Sequence, residues 1–256
     1  MTQKYLLLTI SALITLGGIA PAVTLALMTE QSLRKLHPGS RLILTASAIL
    51  LLGGTFWLLL FEWDGILGNL TIPEKITNAL FMSSSLRTAG FNTVNISGLG
   101  IPSYIAMLIL MFIGGSPGGT AGGIKTTTLA ITVLTFRAAL RGESQVYYDC
   151  RRISESNIIQ AVAIIFSAFL VLLLTVIMLV TTQSAGVKEL VFEAVSALAT
   201  VGLSMDCTNL LDTTGQIIVM LAMFSGRVGP LTVFLLLSDR HSAKRPGYPT
   251  INVPLA

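Results

Sequence analysis

The chain has 256 residues, 53% of them hydrophobic and only 11% charged. That charged share is about half that of a soluble domain, and the mean hydropathy of +0.80 agrees, so a soluble protein is excluded and an all-α integral membrane fold is expected. The net charge of +4 includes no basic run interleaved with aromatics, which argues against nucleic acid as a partner and leaves the charge to report topology.

The first apolar segment, residues 5–28, is predicted to span the membrane. It is too long for a signal-peptide core and lacks a convincing cleavage site. Arg34, Lys35 and Arg41 separate it from a second span at 42–61. Residues 73–87 are too short and too polar to cross, and are read as a re-entrant pore helix. The third apolar segment, 101–136, is too long for one simple span and is broken by glycines. Arg137, Arg141, Arg151 and Arg152 follow it, then a span at 158–181, a second pore helix at 187–199, and a fifth span at 215–237. Arg240, Lys244 and Arg245 come last. Placing the three basic segments in the cytoplasm makes five crossings alternate, and both pore helices then enter from outside. Glu62, Asp64, Glu74, Glu189, Asp206 and Asp212 fall outside, where an acidic vestibule would concentrate cations. Cys150 and Cys207 fall on opposite sides, so no disulfide is expected. The units are 1–40, a last helix of a preceding repeat with its loop; 41–140 and 157–238, two helix–pore loop–helix repeats; 141–156, a linker; and 239–256, a tail.

A shift of 112 positions superposes the two repeats without a gap. Ser84-Ser85-Leu86-Arg87-Thr88-Ala89-Gly90-Phe91 falls on Ser196-Ala197-Leu198-Ala199-Thr200-Val201-Gly202-Leu203. Met111-Phe112-Ile113-Gly114 falls on Met223-Phe224-Ser225-Gly226. Each unit is a short helix, a Thr-x-Gly turn and a long apolar helix. A lone Thr-x-Gly means little, and an ordinary helix C-cap is its bland reading. Two at matched positions point to filter strands, Thr88, Ala89, Gly90, Phe91 and Thr200, Val201, Gly202, Leu203, whose backbone carbonyls would replace the water shell of K⁺. Irregular backbone survives at membrane depth only where it is buried in protein or lines water.

The stretch Gly114, Gly115, Ser116, Pro117, Gly118, Gly119, Thr120, Ala121, Gly122, Gly123 cannot remain helical. A break inside the membrane followed by a helix from about Lys125 to Leu140 is expected, and a loop there can gate a pore. The spacing of Gly118 and Gly123 is that of a phosphate-binding loop, but Ile124 intrudes before Lys125 and no strand precedes it, so nucleotide binding is rejected. Arg227 is an isolated charge within the fifth span. Such a residue faces a cavity or a partner, and contact with carbonyls of the glycine break would make it part of a gate. Lys125 is a secondary candidate, expected to snorkel to the inner surface.

Four segments, Arg87–Thr93, Gly114–Thr126, Ala199–Ser204 and Gly226–Leu231, resemble the Trk/Ktr/HKT potassium transporters, above all the KtrB-type bacterial membrane subunit. The resemblance implies four helix–pore loop–helix repeats around one axis, with Gly90 and Gly202 as the third and fourth filter glycines. It also implies 114–123 as the intramembrane gating loop and Arg227 as the pore arginine. It further implies multi-pass insertion in the plasma membrane, K⁺ as the transported ion with Na⁺ assistance as a variant, a homodimer in membrane lipid, and a cytosolic nucleotide-binding RCK/KTN regulatory subunit. Only two of the four repeats are present, so a truncated product, a split gene or a pairing half-channel is expected. K⁺ uptake without covalent chemistry is the leading reading. A secondary transporter of another solute would show inverted rather than parallel repeats, and a non-conducting remnant is the third reading.

Overall fold

The computed structural model describes residues 2–30, 35–119, 121–229 and 231–232. Arg34, Thr120, Arg240, Lys244, Arg245, the end of the fifth predicted span at 233–237 and the tail from 239 lie outside the described residues.

The segment expected to span at 5–28 is instead two helices, α1 (Thr2–Gly17) and α2 (Pro21–Glu30), bent by 102° at their junction. The cause is local. Gly17 and Gly18 are poor helix formers, and Pro21 both lacks an N–H and disfavours helical backbone at Ala20. Helix α3 (Pro38–Phe61, 24 residues) starts at Pro38 rather than 42, because the His37 ring accepts the Gly39 N–H at 3.2 Å and proline suits a first turn. Helix α7 (Glu155–Thr182, 28 residues) starts behind Ser154, whose hydroxyl accepts from Asn157 N at 3.3 Å. Among the described residues α3 and α7 are the two helices long and apolar enough to cross alone, and the bent pair α1–α2 makes a third if taken as one span.

The expected pore helices are α4 (Ile72–Ser85) and α8 (Val187–Leu198). The broken third span is α5 (Ile101–Phe112) and α6 (Thr126–Leu140), and the fifth is α9 (Thr213–Val228), which ends at Gly229 with φ 97°. The structure extends the repeat beyond the motifs. Short 3-10 turns at Ile96–Gly98 and Thr208–Leu210, and the first residues of α5 and α9, obey the same 112-residue shift. A two-stranded hairpin, β1 (Tyr147–Tyr148) with β2 (Arg151–Arg152), was not foreseen; Arg41 pairs with Asp149 at its turn.

Each pore helix is wedged between two longer helices. Helix α4 packs on α3 and α1, α8 packs on α9 and α7, and α5 packs on α8, joining the repeats. The main apolar core follows that seam: Met82, Leu86, Met107, Met111, Phe192, Val195, Val201 and Leu203 are all buried together. Outward faces carry Leu13, Ile49, Phe56, Phe166 and Leu173, the inverse of a soluble surface and what lipid requires.

Candidate functional site

Helix α4 releases the chain into Thr88 at φ 72° and Gly90 at φ 76°. Helix α8 does the same into Thr200 at 54° and Gly202 at 91°. Amide bonds back to the helix end accompany both turns, Gly90 N to Ser85 O at 3.3 Å and Val201 N to Ser196 O at 2.9 Å, so each turn does serve as a C-cap. A cap does not explain the rest. Left-handed backbone is an outlier for a β-branched residue, costs about 1–3 kcal/mol, and persists where surrounding structure imposes it. Here it recurs at the same threonine of both repeats. The two glycines also meet. A Cβ on Gly90 would press on Val201 O and lie 3.1 Å from Gly202 Cα, while one on Gly202 would lie 3.6 Å from Gly90 Cα. The alternation of left-handed residues with others replaces the simple extended strands expected from the sequence.

The strands are anchored by different means. The Ser85 hydroxyl accepts from Phe91 N at 2.8 Å and donates to Phe91 O. In the other repeat these positions are Ala197 and Leu203, and buried Glu193 takes over, accepting from Ser204 Oγ and Thr208 Oγ1, each at 2.7 Å. Sequence reasoning passed over Glu193 and the burial of Arg87, which reaches Ser47 Oγ at 3.2 Å. A carboxylate mid-way along a pore helix was the available signal.

The glycine break is a closed loop. Ile113 and Ile124 form a parallel bridge at its neck, with Gly114 N to Ile124 O at 2.8 Å and Ile124 N to Phe112 O at 3.1 Å. Two residues tie it outward. Gly122 N donates to Thr200 Oγ1 at 3.1 Å, joining the loop to the start of the strand 200–203. Ser116 donates both its amide (3.0 Å) and its hydroxyl (2.9 Å) to Gly18 O, the carbonyl freed by the α1–α2 bend. Pro117 and Gly118 at the tip are exposed; Gly114, Gly115, Ser116 and Gly122 are buried, and Gly119 and Gly123 partly so. Gly114 admits no Cβ because Gly122 O lies against it; its repeat equivalent, Gly226, is pressed in the same way by Leu198 O of α8. Lys125 does not snorkel: its ammonium folds back onto Ala121 O at 2.5 Å. Arg227 is exposed and within electrostatic reach of Lys125, so two positive charges lie near one another beside the loop.

The outer acids divide. Glu62 is no vestibule residue: it is 2% exposed and accepts from Ile66 N at 3.2 Å and Gly100 N at 3.0 Å, fastening the loops after α3 and before α5. Asp64, Asp206 and Asp212 are exposed. Asp206 lines a cavity of about 370 Å³ with Asn92, Asn95, Ser97 and Ser204, residues that follow the two Thr-x-Gly turns. The Gly215 amide, then Gln183, hold the Asp212 carboxyl below its ordinary range, and the Thr71 hydroxyl does so for Glu74. Burial, then the Glu193 and Glu189 carboxylates, push the Cys207 thiol up.

Comparison with known proteins accords with this geometry. The potassium/sodium uptake protein NtpJ of Enterococcus hirae is 31% identical over 261 aligned positions, covering 99% of this chain and 58% of that protein. Ktr system potassium uptake protein B of Bacillus subtilis is 34% identical over 229 positions, 88% of this chain and 51% of its own. The counterpart in Vibrio alginolyticus is 35% identical over 205 positions, 79% and 45%. The chain therefore spans about half the length of the curated relatives it matches. The crystal structure of the potassium transporter TrkH from Vibrio parahaemolyticus shares the fold at a TM-score of 0.73 and 18% identity, over 92% of this chain and 52% of that one. With the TrkH family, described as cation transport protein, matching residues 8–245, this integral membrane chain belongs to that family.

Proposed function

We propose that the chain builds two of the walls of a potassium uptake pore in the plasma membrane. The observation that carries this reading is the convergence of Gly90 on Gly202, each beside a strained threonine at the same repeat position. A K⁺ ion arriving from outside passes the cavity bounded by Asn92, Ser204 and Asp206, sheds water, and is held by backbone carbonyls of Thr88–Phe91 and Thr200–Leu203. Movement is passive through the filter, with Na⁺ assistance as a variant. The loop 114–123 closes the inner side, and Arg227 with Lys125 adds a positive barrier on the cation path. The names of the relatives, potassium uptake and potassium/sodium uptake, support this cargo. Further walls, a second copy of the subunit and a cytosolic nucleotide-binding RCK/KTN subunit complete the assembly. The test is Rb⁺ uptake by a bacterium lacking its own K⁺ uptake systems, expressing the protein with its regulatory subunit. Uptake competed by K⁺ is expected; uptake indifferent to K⁺ would overturn the reading.

A further inference from the structure

Glu193 is a buried carboxylate that the filter reading leaves without a task. It is 5% exposed, in the middle of α8, and no described cation forms an ion pair with it. Burying a charge is costly unless hydrogen bonds hold it. Both carboxylate oxygens are held: Oε2 by Ser204 and Oε1 by Thr208, at 2.7 Å each, with the two hydroxyls themselves 2.9 Å apart. A carboxylate accepts only, and each hydroxyl has one proton to give, so both protons go to the Glu193 oxygens and none is left for the Ser204–Thr208 contact. Its field reaches the neighbouring loop, where it helps push up the Cys207 thiol. Ser204 follows the strand 200–203 directly and also lines the cavity shared with Asn92 and Asp206. The clasp thus sets a negative charge one side chain behind the outer mouth of the filter.

The other repeat does not share it. The position equivalent to Glu193 is Phe81, and there Ser85 secures the strand through backbone atoms alone. The charge is therefore not needed merely to end a pore helix in a left-handed turn.

Resting on the filter reading, we propose that Glu193 sets the cation affinity of the outer mouth of the filter, its charge raising occupancy and its hydroxyl clasp fixing the strand, without touching the ion. A unit charge at side-chain distance, at an effective dielectric near 20, changes binding by roughly tenfold or more.

The experiment is a K⁺ titration of the melting temperature of the purified full-length protein, since an ion that binds the folded state raises it. Wild type is expected to gain stability with K⁺. Glu193→Gln, nearly isosteric, should need about tenfold more K⁺ for half the gain, whereas Glu193→Asp, which keeps the charge, should stay within about threefold. In Rb⁺ uptake the Gln variant should show a raised KM at similar maximal rate. Equal K⁺ sensitivity of Gln and wild type, or a larger loss in Asp than in Gln, would overturn the proposal. Thr208 is exposed, so Thr208→Val tests the clasp where Gln fails to assemble. A shift of about threefold in the same direction supports it, and no shift overturns it. A wild type indifferent to K⁺ would remove the filter reading itself, and this proposal with it.

Discussion

Replacing Gly90 and Gly202 by serine, one at a time, should separate strain from crowding. Both sit in left-handed backbone, at φ 76° and 91°, where a side chain costs about 1–2 kcal/mol. Their surroundings differ. A Cβ on Gly90 overlaps Val201 O and comes within 3.2 Å of the Gly202 carbonyl carbon, so backbone must shift, at a further cost of about 1–3 kcal/mol. A Cβ on Gly202 meets only Gly90 Cα at 3.6 Å, an ordinary contact. Gly90→Ser should thus lose about 2–5 kcal/mol and Gly202→Ser about 1–2 kcal/mol. At about 2–4 °C per kcal/mol for a chain of this size, that is a fall near 10 °C against one near 4 °C. Both variants should lose K⁺ over Na⁺ preference, because any shift of these strands distorts the carbonyl cage. The assays are melting curves of purified protein and paired K⁺ and Na⁺ uptake in cells at matched expression. Unchanged selectivity in both variants would remove the filter assignment. Gly202→Ser melting lower than Gly90→Ser would refute the packing argument.

Ser116→Ala removes the hydroxyl bond to Gly18 O and leaves the amide bond; at about 1 kcal/mol the open state should gain roughly fivefold, read as raised Rb⁺ flux. Arg227→Ala, or deletion of several residues from 116–121, should also raise flux, and the combination should be less than additive if they share one closed state; simple additivity would separate them. Glu62→Ala strands the Ile66 and Gly100 amides and should cost about 2–4 kcal/mol of stability with ion selectivity unchanged, measured by melting and by paired ion uptake.

The pore helices, the glycine break and the start of α6 were legible because their signals are local and strong: a run of glycines and a proline cannot be helical whatever surrounds it, and two short semi-apolar segments cannot cross. The α1–α2 bend was written just as locally, in Gly17, Gly18 and Pro21, but hydropathy averaged over 5–28 smooths it into one span. Glu62 was assigned to the vestibule because its loop is outside, and position along the chain does not reveal that its carboxylate turns inward to two amides. Lys125 was misplaced for the reverse reason, since the carbonyl it finds, Ala121 O, exists only once the break has folded into a loop. The two Thr-x-Gly turns were identified by repetition; their alternating left-handed residues were not, because a threonine gives no sign that its surroundings will force it there.

The bridge between Ile113 and Ile124 has a further consequence. By pinning the end of α5 to the approach to α6, it makes the loop a ring with a fixed footing, and the distance between the two helices no longer depends on what lies within the ring. If the loop is the gate, opening it needs the Ser116 and Gly122 ties to release. Residues within the ring are also freed from framework duty. If the loop gates the pore, insertion or deletion there should change conductance while the surrounding helices keep their register.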